Sequence, residues 1–211
     1  MTAVRHFWDM RATQARKQQQ AGGVDQGSRS AVTGGAQMDG FIDLLAELAI
    51  EFGARRQDVR RGKRARLPGY FLSSTQWDLV LFHKDQVLCA FRVVASDRTG
   101  DREPAKELAS DAIGSACELW GAYRESAINK DIQPWLAYVL AAEAPRRGQS
   151  SSLRQRGHAL LCSKLVRERL YSGTALILAR DDGRYLEPAD GLTLRHLCRT
   201  LAARLSVYTN A

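Results

Sequence analysis

Between Met38 and Phe52 the apolar residues fall at Met38, Phe41, Ile42, Leu45, Leu48, Ala49 and Phe52, a spacing that places them on one stripe of an α-helix. A second stripe, formed by Ala105, Leu108, Ala109, Ala112, Ile113, Ala116, Leu119, Trp120 and Tyr123, predicts a helix over 103–126. Further helices are expected over 154–171 and 192–207. Strands are expected over 76–82 and 86–95, joined by the polar turn His83-Lys84-Asp85, and again over 135–140 and 174–178. The segment 67–71 is a short extended piece, 11–20 a helix end or frayed arm, and the Gly/Ser/Thr-rich 21–35 a long loop, with another loop at 145–152. Strands separated by helices imply an α/β fold with a mixed sheet covered on both faces. The expected organisation is a helical arm over 1–23 and one domain over 24–211.

Composition narrows this only a little. A chain of 211 residues with 45% hydrophobic and 26% charged residues has enough material for one full core. No apolar run is long enough for a membrane helix and the N-terminus has no signal-peptide core, so a cytoplasmic protein without a membrane partner is expected. Cys89, Cys117, Cys162 and Cys198 stand far apart in apolar segments and read as free thiols; His6, His83, His158 and His196 are equally scattered, which argues against a zinc site. Trp77, Trp120 and Trp135 are expected in the core, whereas Phe7 and Trp8 are candidates to cover a dimer partner.

Charge changes the picture more. Arg55, Arg56, Arg60, Arg61, Lys63, Arg64 and Arg66 are opposed only by Asp58, so this stretch carries +6 of the chain's net +8. A cluster this dense, read as a basic loop, attracts the phosphates of double-stranded DNA through counterion release. Arg29, in Gly27-Ser28-Arg29-Ser30, is a further candidate phosphate contact.

The chemistry centres on the predicted hairpin. Asp78 lies on its first strand, and Arg92 and Val94, two residues apart on the second, share one face. An acid facing two polar residues in this pattern is how many nucleases hold Mg²⁺, two carboxylates binding the ion and a lysine activating water. Asp39, which opens the helix after the glycine-rich loop, is a possible fourth member, with Asp43 one turn on.

The order and spacing of Val24-Asp25-Gln26-Gly27-Ser28-Arg29-Ser30, Met38-Asp39-Gly40-Phe41, Leu67-Pro68-Gly69-Tyr70-Phe71, Gln76-Trp77-Asp78-Leu79, Ala112-Ile113-Gly114, Leu119-Trp120, Arg124-Glu125, Leu160-Leu161-Cys162-Ser163-Lys164-Leu165 and Leu170-Tyr171 resemble XhoI-type restriction endonucleases of the PD-(D/E)XK superfamily. The resemblance implies a restriction-endonuclease-like domain over 24–211 with Asp78 as first metal ligand. It also calls for Glu-x-Lys where this chain has Arg92-Val93-Val94. An arginine about 4 Å from a divalent ion opposes it by roughly 8 kcal/mol at an effective dielectric near 20. The expectation is therefore a homodimeric pseudo-nuclease that binds DNA without metal or catalysis, alone or as the non-cutting subunit beside a partner, with an Asp78–Arg92 ion pair in place of the ion. The alternative is an active Mg²⁺-dependent endonuclease whose motif is rebuilt from Asp97, Asp101 or Glu103 and Lys106. A protein-interaction module, suggested by the acids of 101–107, is the third reading.

Overall fold

Alternation of side chains along 79–94 produces two different faces, and the chain covers each with helices. In the computed structural model, which describes residues 3–20, 36–96, 104–143, 173–180, 182, 184–186 and 194–209, a sheet of six strands forms. Its order is β1 (Val59–Arg61), β4 (Leu79–His83), β5 (Gln86–Ser96), β6 (Trp135–Glu143), β7 (Gly173–Ala179) and β8 (Tyr185–Leu186). The central trio β5, β6 and β7 is parallel, while β1 and β4 on one side and β8 on the other run antiparallel to their neighbours. The remaining two strands, β2 (Arg66–Leu67) and β3 (Thr75–Gln76), pair antiparallel in a ribbon of their own.

Four described helices flank the sheet: α1 (Ala3–Gln20), α2 (Asp39–Glu51), α3 (Pro104–Arg124) and α4 (Leu194–Thr209). One core joins Val4 and Phe7 of α1, Phe41, Leu45 and Ala49 of α2 and Leu197, Leu201 and Leu205 of α4 to Leu79, Leu81, Phe91, Val93 and Val139 of the sheet. The opposite core joins Ala112, Ala116 and Leu119 of α3 to Val80, Ala90, Leu136, Tyr138 and Leu140, with Trp77 beside them. From Cys89 to Val94 odd positions of β5 thus face one layer and even positions the other, the two-residue period of a strand, while Val87 and Leu88 take the reverse faces beside the register shift at Leu81/Phe82. Each large apolar side chain buried this way stabilises the fold by about 1.5–3 kcal/mol relative to exposure.

The α/β class and the mixed sheet are as the sequence predicts. The β4–β5 turn is tight: His83 pairs with Gln86, and Lys84 and Asp85 both adopt positive φ (47° and 66°), the conformation of a two-residue hairpin loop. At the same end of β5, buried Asn129 accepts from Val87 N–H (2.7 Å) and donates to the carbonyls of Val87 (2.7 Å) and Ile132 (2.6 Å), pinning the strand where β6 begins.

Several expectations need correction. Of the two readings of 11–20, the helix end holds, since these residues complete α1. Phe7 is fully buried in the chain's own core, so it is not a dimer cover. Trp77 and Trp135 are core residues, but Trp120 is only partly buried. The first predicted strand divides, since Thr75–Gln76 leaves the main sheet to pair with β2. The basic stretch is no simple loop: it contains β1, β2 and two 3-10 turns, Arg56–Asp58 and Gly62–Arg64. Cys89 is buried, and burial pushes its thiol well above its ordinary pKa, whereas Cys117 and Cys198 are partly exposed; none of the three forms a disulfide. The loop 21–35 with Arg29, the helix expected over 154–171 with Cys162, and the acids Asp97, Asp101 and Glu103 lie outside the described residues. No described helix is long and apolar enough to cross a membrane.

Candidate active site

Asp78 sits immediately before β4, where the ladder to β5 ends. Its N–H donates to Phe91 O (3.2 Å), and its Oδ2 accepts the N–H of Val93 (2.8 Å). Among the described residues Oδ1 has no hydrogen-bond partner. Burial raises the Asp78 pKa above the usual carboxylate value; the Val93 N–H and then the Arg92 charge act in the opposite sense, and the charges of Asp111 and Asp39 raise it further. A partly buried carboxylate is thus held against two like charges, one contributed by each helical layer.

Arg92 projects to the α3 side of the sheet, as does Tyr138, its partner across the parallel β5–β6 ladder. Its Nε donates to the Ser115 Oγ of α3 (3.3 Å), and the guanidinium lies over the Trp77 ring, 4.9 Å from the centroid. The expected Asp78–Arg92 ion pair is not formed. Asp78 turns toward a backbone N–H, and the planar guanidinium has an aromatic face and a buried hydroxyl to hold it elsewhere. Val94 packs, partly buried, against the α3-side core.

Sequence reasoning missed Asp111. It stands on the exposed rim of α3, one helical turn before Ser115, and its Oδ2 accepts the phenolic O–H of the fully buried Tyr138 (2.7 Å). The signal was available, since positions 111 and 115 share a helix face beside the buried Ala112 and Ala116. An acid in the middle of a helix ordinarily reads as solvated surface. Asp39 opens α2, exposed, and acts on Asp78 through its charge, while Asp43 pairs with Arg61.

The seven cations of the basic stretch divide by what they touch. Arg55 pairs with Asp58 (2.7 Å), Arg61 with Asp43, and Arg60 covers the Phe82 ring at 3.8 Å. Arg56, Lys63, Arg64 and Arg66 are exposed, and no ion partner appears for them among the described residues.

A family profile described as restriction endonuclease XhoI matches residues 17–158. The chain belongs to the XhoI restriction endonuclease family. It is 29% identical over 200 residues to the type II restriction enzyme BstVI of Geobacillus stearothermophilus, covering 83% of this chain and 89% of the relative. It is 31% identical to AbrI of Azospirillum brasilense, a type II restriction enzyme, over 70% of this chain and 67% of the relative. To the type II restriction enzyme XhoI of Xanthomonas vasicola it is 25% identical, over 66% of this chain and 56% of the relative. No solved structure shows a significant match.

These relatives overturn the expectation of a non-cutting pseudo-nuclease. All three are named as restriction enzymes. Repulsion of about 8 kcal/mol requires a guanidinium about 4 Å from the ion, whereas Arg92 is anchored on Ser115 and Trp77.

Proposed function

We propose that the chain is a Mg²⁺-dependent type II restriction endonuclease that hydrolyses phosphodiester bonds of double-stranded DNA. The observation that carries this reading is that two carboxylates flank Arg92 on the same side of the sheet's end: Asp78 accepts the N–H of Val93, the residue after Arg92, and Asp111 accepts the O–H of Tyr138, the ladder partner of Arg92. Family membership supplies the reaction class.

The donor set suits a hard cation. Asp78 and Asp111 each accept one hydrogen bond through Oδ2 and form no ion pair among the described residues, so both would gain from a nearby divalent ion. Among the described residues no group of three or more His, Cys, Asp or Glu side chains forms an ion cage. Mg²⁺ typically needs only one or two carboxylates, completing its shell with water and substrate phosphate. Asp78 and Asp111 would hold it, with Asp39 adding negative potential from α2. When bound, the ion supplies Lewis acidity toward the phosphate and a water of lowered pKa.

The chain's own groups carry the rest. The Val93 N–H and the Tyr138 O–H fix the two carboxylates, so their geometry is set before substrate arrives. Water adds to phosphorus and gives up a proton to solvent, one P–O ester bond breaks, and the departing oxygen takes a proton from solvent. Negative charge grows on the phosphoryl oxygens during this step, and Arg92, pre-oriented by Ser115 and Trp77, is the cation placed to stabilise it. Arg56, Lys63, Arg64 and Arg66 grip the flanking backbone. Two copies of the chain acting together would suit a palindromic site.

Incubating the purified chain with plasmid DNA and Mg²⁺ tests this. Discrete fragments that disappear with EDTA, and with Asp78→Asn or Asp111→Asn, are expected. A plasmid left intact across Mg²⁺ and Mn²⁺ concentrations overturns the reading, and sedimentation with and without DNA tests the dimer.

A further inference from the structure

Between β2 and β3 the chain forms a hairpin whose tip exposes three consecutive apolar residues, Tyr70 (49%), Phe71 (71%) and Leu72 (60%). Leaving such a run in water is costly unless something covers it. The tip is also held in one shape. The Glu118 carboxylate of α3 accepts from Tyr70 N–H (2.7 Å), Phe71 N–H (3.3 Å) and the Thr75 hydroxyl (3.3 Å). Tyr70 lies against α3 at Gly121, where a Cβ would come within 2.2 Å of the ring, so only glycine admits it. The Tyr70 and Phe71 rings meet edge to face at 4.7 Å between centroids.

The stem is cationic. Arg66 pairs with Gln76 at its base, and the Gln76 side-chain amide donates to Gly62 O, which joins the hairpin to the turn bearing Lys63 and Arg64. Exposed cations below an apolar tip match the DNA duplex, with phosphates at the groove's edge and base pairs within it. Lys63, Arg64 and Arg66 would take the phosphates.

We infer that the 66–76 hairpin is a DNA-reading element whose Phe71 and Leu72 enter a groove and press on the base pairs, so that it selects or deforms the cleaved sequence. This rests on the proposed nuclease reading for its partner. Apolar side chains used in this way unstack or probe base steps while neighbouring cations hold the backbone. Glu118 makes the tip a stiff probe instead of a loop that must be ordered on binding.

The test places a photo-crosslinker at the tip, Phe71→p-benzoylphenylalanine, and irradiates the chain on linearised plasmid DNA with Ca²⁺ in place of Mg²⁺. A covalent protein–DNA species is expected. A crosslink to a second copy of the chain, or none while a gel shift shows bound DNA, overturns the inference. Independently, Phe71→Ala with Leu72→Ala should weaken DNA binding about 10- to 100-fold with an unchanged salt slope, because apolar contacts release no counterions. Undiminished affinity in that variant also overturns it. Unaltered chain that binds DNA without cutting it would refute the nuclease and leave the hairpin standing; failure to bind at all refutes both.

Discussion

Tyr138→Phe is the most direct test of how the second carboxylate is held. The substitution removes one oxygen from a fully buried ring and leaves the packing against Ala90, Ala112 and Leu136 in place. What is lost is the 2.7 Å hydrogen bond from the phenol to Asp111 Oδ2. A hydrogen bond to a charged group contributes about 1.5–3 kcal/mol. Asp111 lies on the exposed rim of α3, so water replaces part of this and the cost to stability should fall near the bottom of that range.

The cost to metal binding is different in kind. Without the phenol, the carboxylate is free to rotate, and ligand-orienting hydrogen bonds of this type are worth about 10- to 100-fold in metal affinity. Titration of Mn²⁺ into the variant by calorimetry should show that loss, with the unfolded fraction followed in parallel by circular dichroism. Asp111→Asn should lose more, because the ligand charge itself goes. Unchanged affinity in Tyr138→Phe, with an unchanged melting curve, would refute Asp111 as a ligand and leave Asp78 as a lone acid.

The remaining predictions concern the scaffold and the backbone grip. Replacing Arg56, Lys63, Arg64 and Arg66 with alanine should flatten the slope of log affinity against log salt by up to about 3.6, at about 0.9 per phosphate contact. The same treatment of Arg55, Arg60 and Arg61, which are engaged with Asp58, Phe82 and Asp43, should flatten it less and cost more stability, and equal slopes for the two sets would refute the division. Asn129→Ala leaves the buried N–H and carbonyl of Val87 without their partner, at about 1–3 kcal/mol each; a denaturation midpoint within error of the unaltered chain would remove Asn129 as the clamp of β5.

The parts of the fold legible in the sequence were those in which one physical rule dominates. The 79–94 hairpin reads as two nearly continuous apolar runs because both of its faces are covered, and α2 keeps a clean stripe because only one side of it is buried. β1 was illegible for a related reason. It is an edge strand with a single apolar residue, Val59, among arginines, and its identity comes from pairing with β4, which local pattern does not encode. The candidate site was half legible. Asp78 is marked by strand position, but Asp111 reaches the same place from a helix far along the chain, and only the tertiary fold brings them together. The family pattern calls for a glutamate where β5 carries Arg92, and it points to no acid on α3.

Arg92 offers a way to separate those two descriptions. If it merely occupies the place of a lost ligand, it repels the ion, and Arg92→Ala should raise both metal affinity and cleavage. If it stabilises the phosphoryl group, the outcomes diverge. Metal affinity should still rise, since removing a cation from the neighbourhood of a divalent ion relieves repulsion of up to about 4 kcal/mol at about 8 Å and an effective dielectric near 20, less with solvent screening. Cleavage should nonetheless fall by about 10²- to 10³-fold, the usual consequence of losing one oriented group that stabilises transition-state charge. Arg92→Lys should recover only part of the rate, because an ammonium neither stacks as a plane on Trp77 nor presents a fork to two phosphoryl oxygens. Metal titration and single-turnover cleavage on the same preparations read the two quantities separately. A variant that binds metal more tightly and also cuts faster would show that Arg92 hinders the reaction, and the assignment of charge stabilisation to it would be wrong.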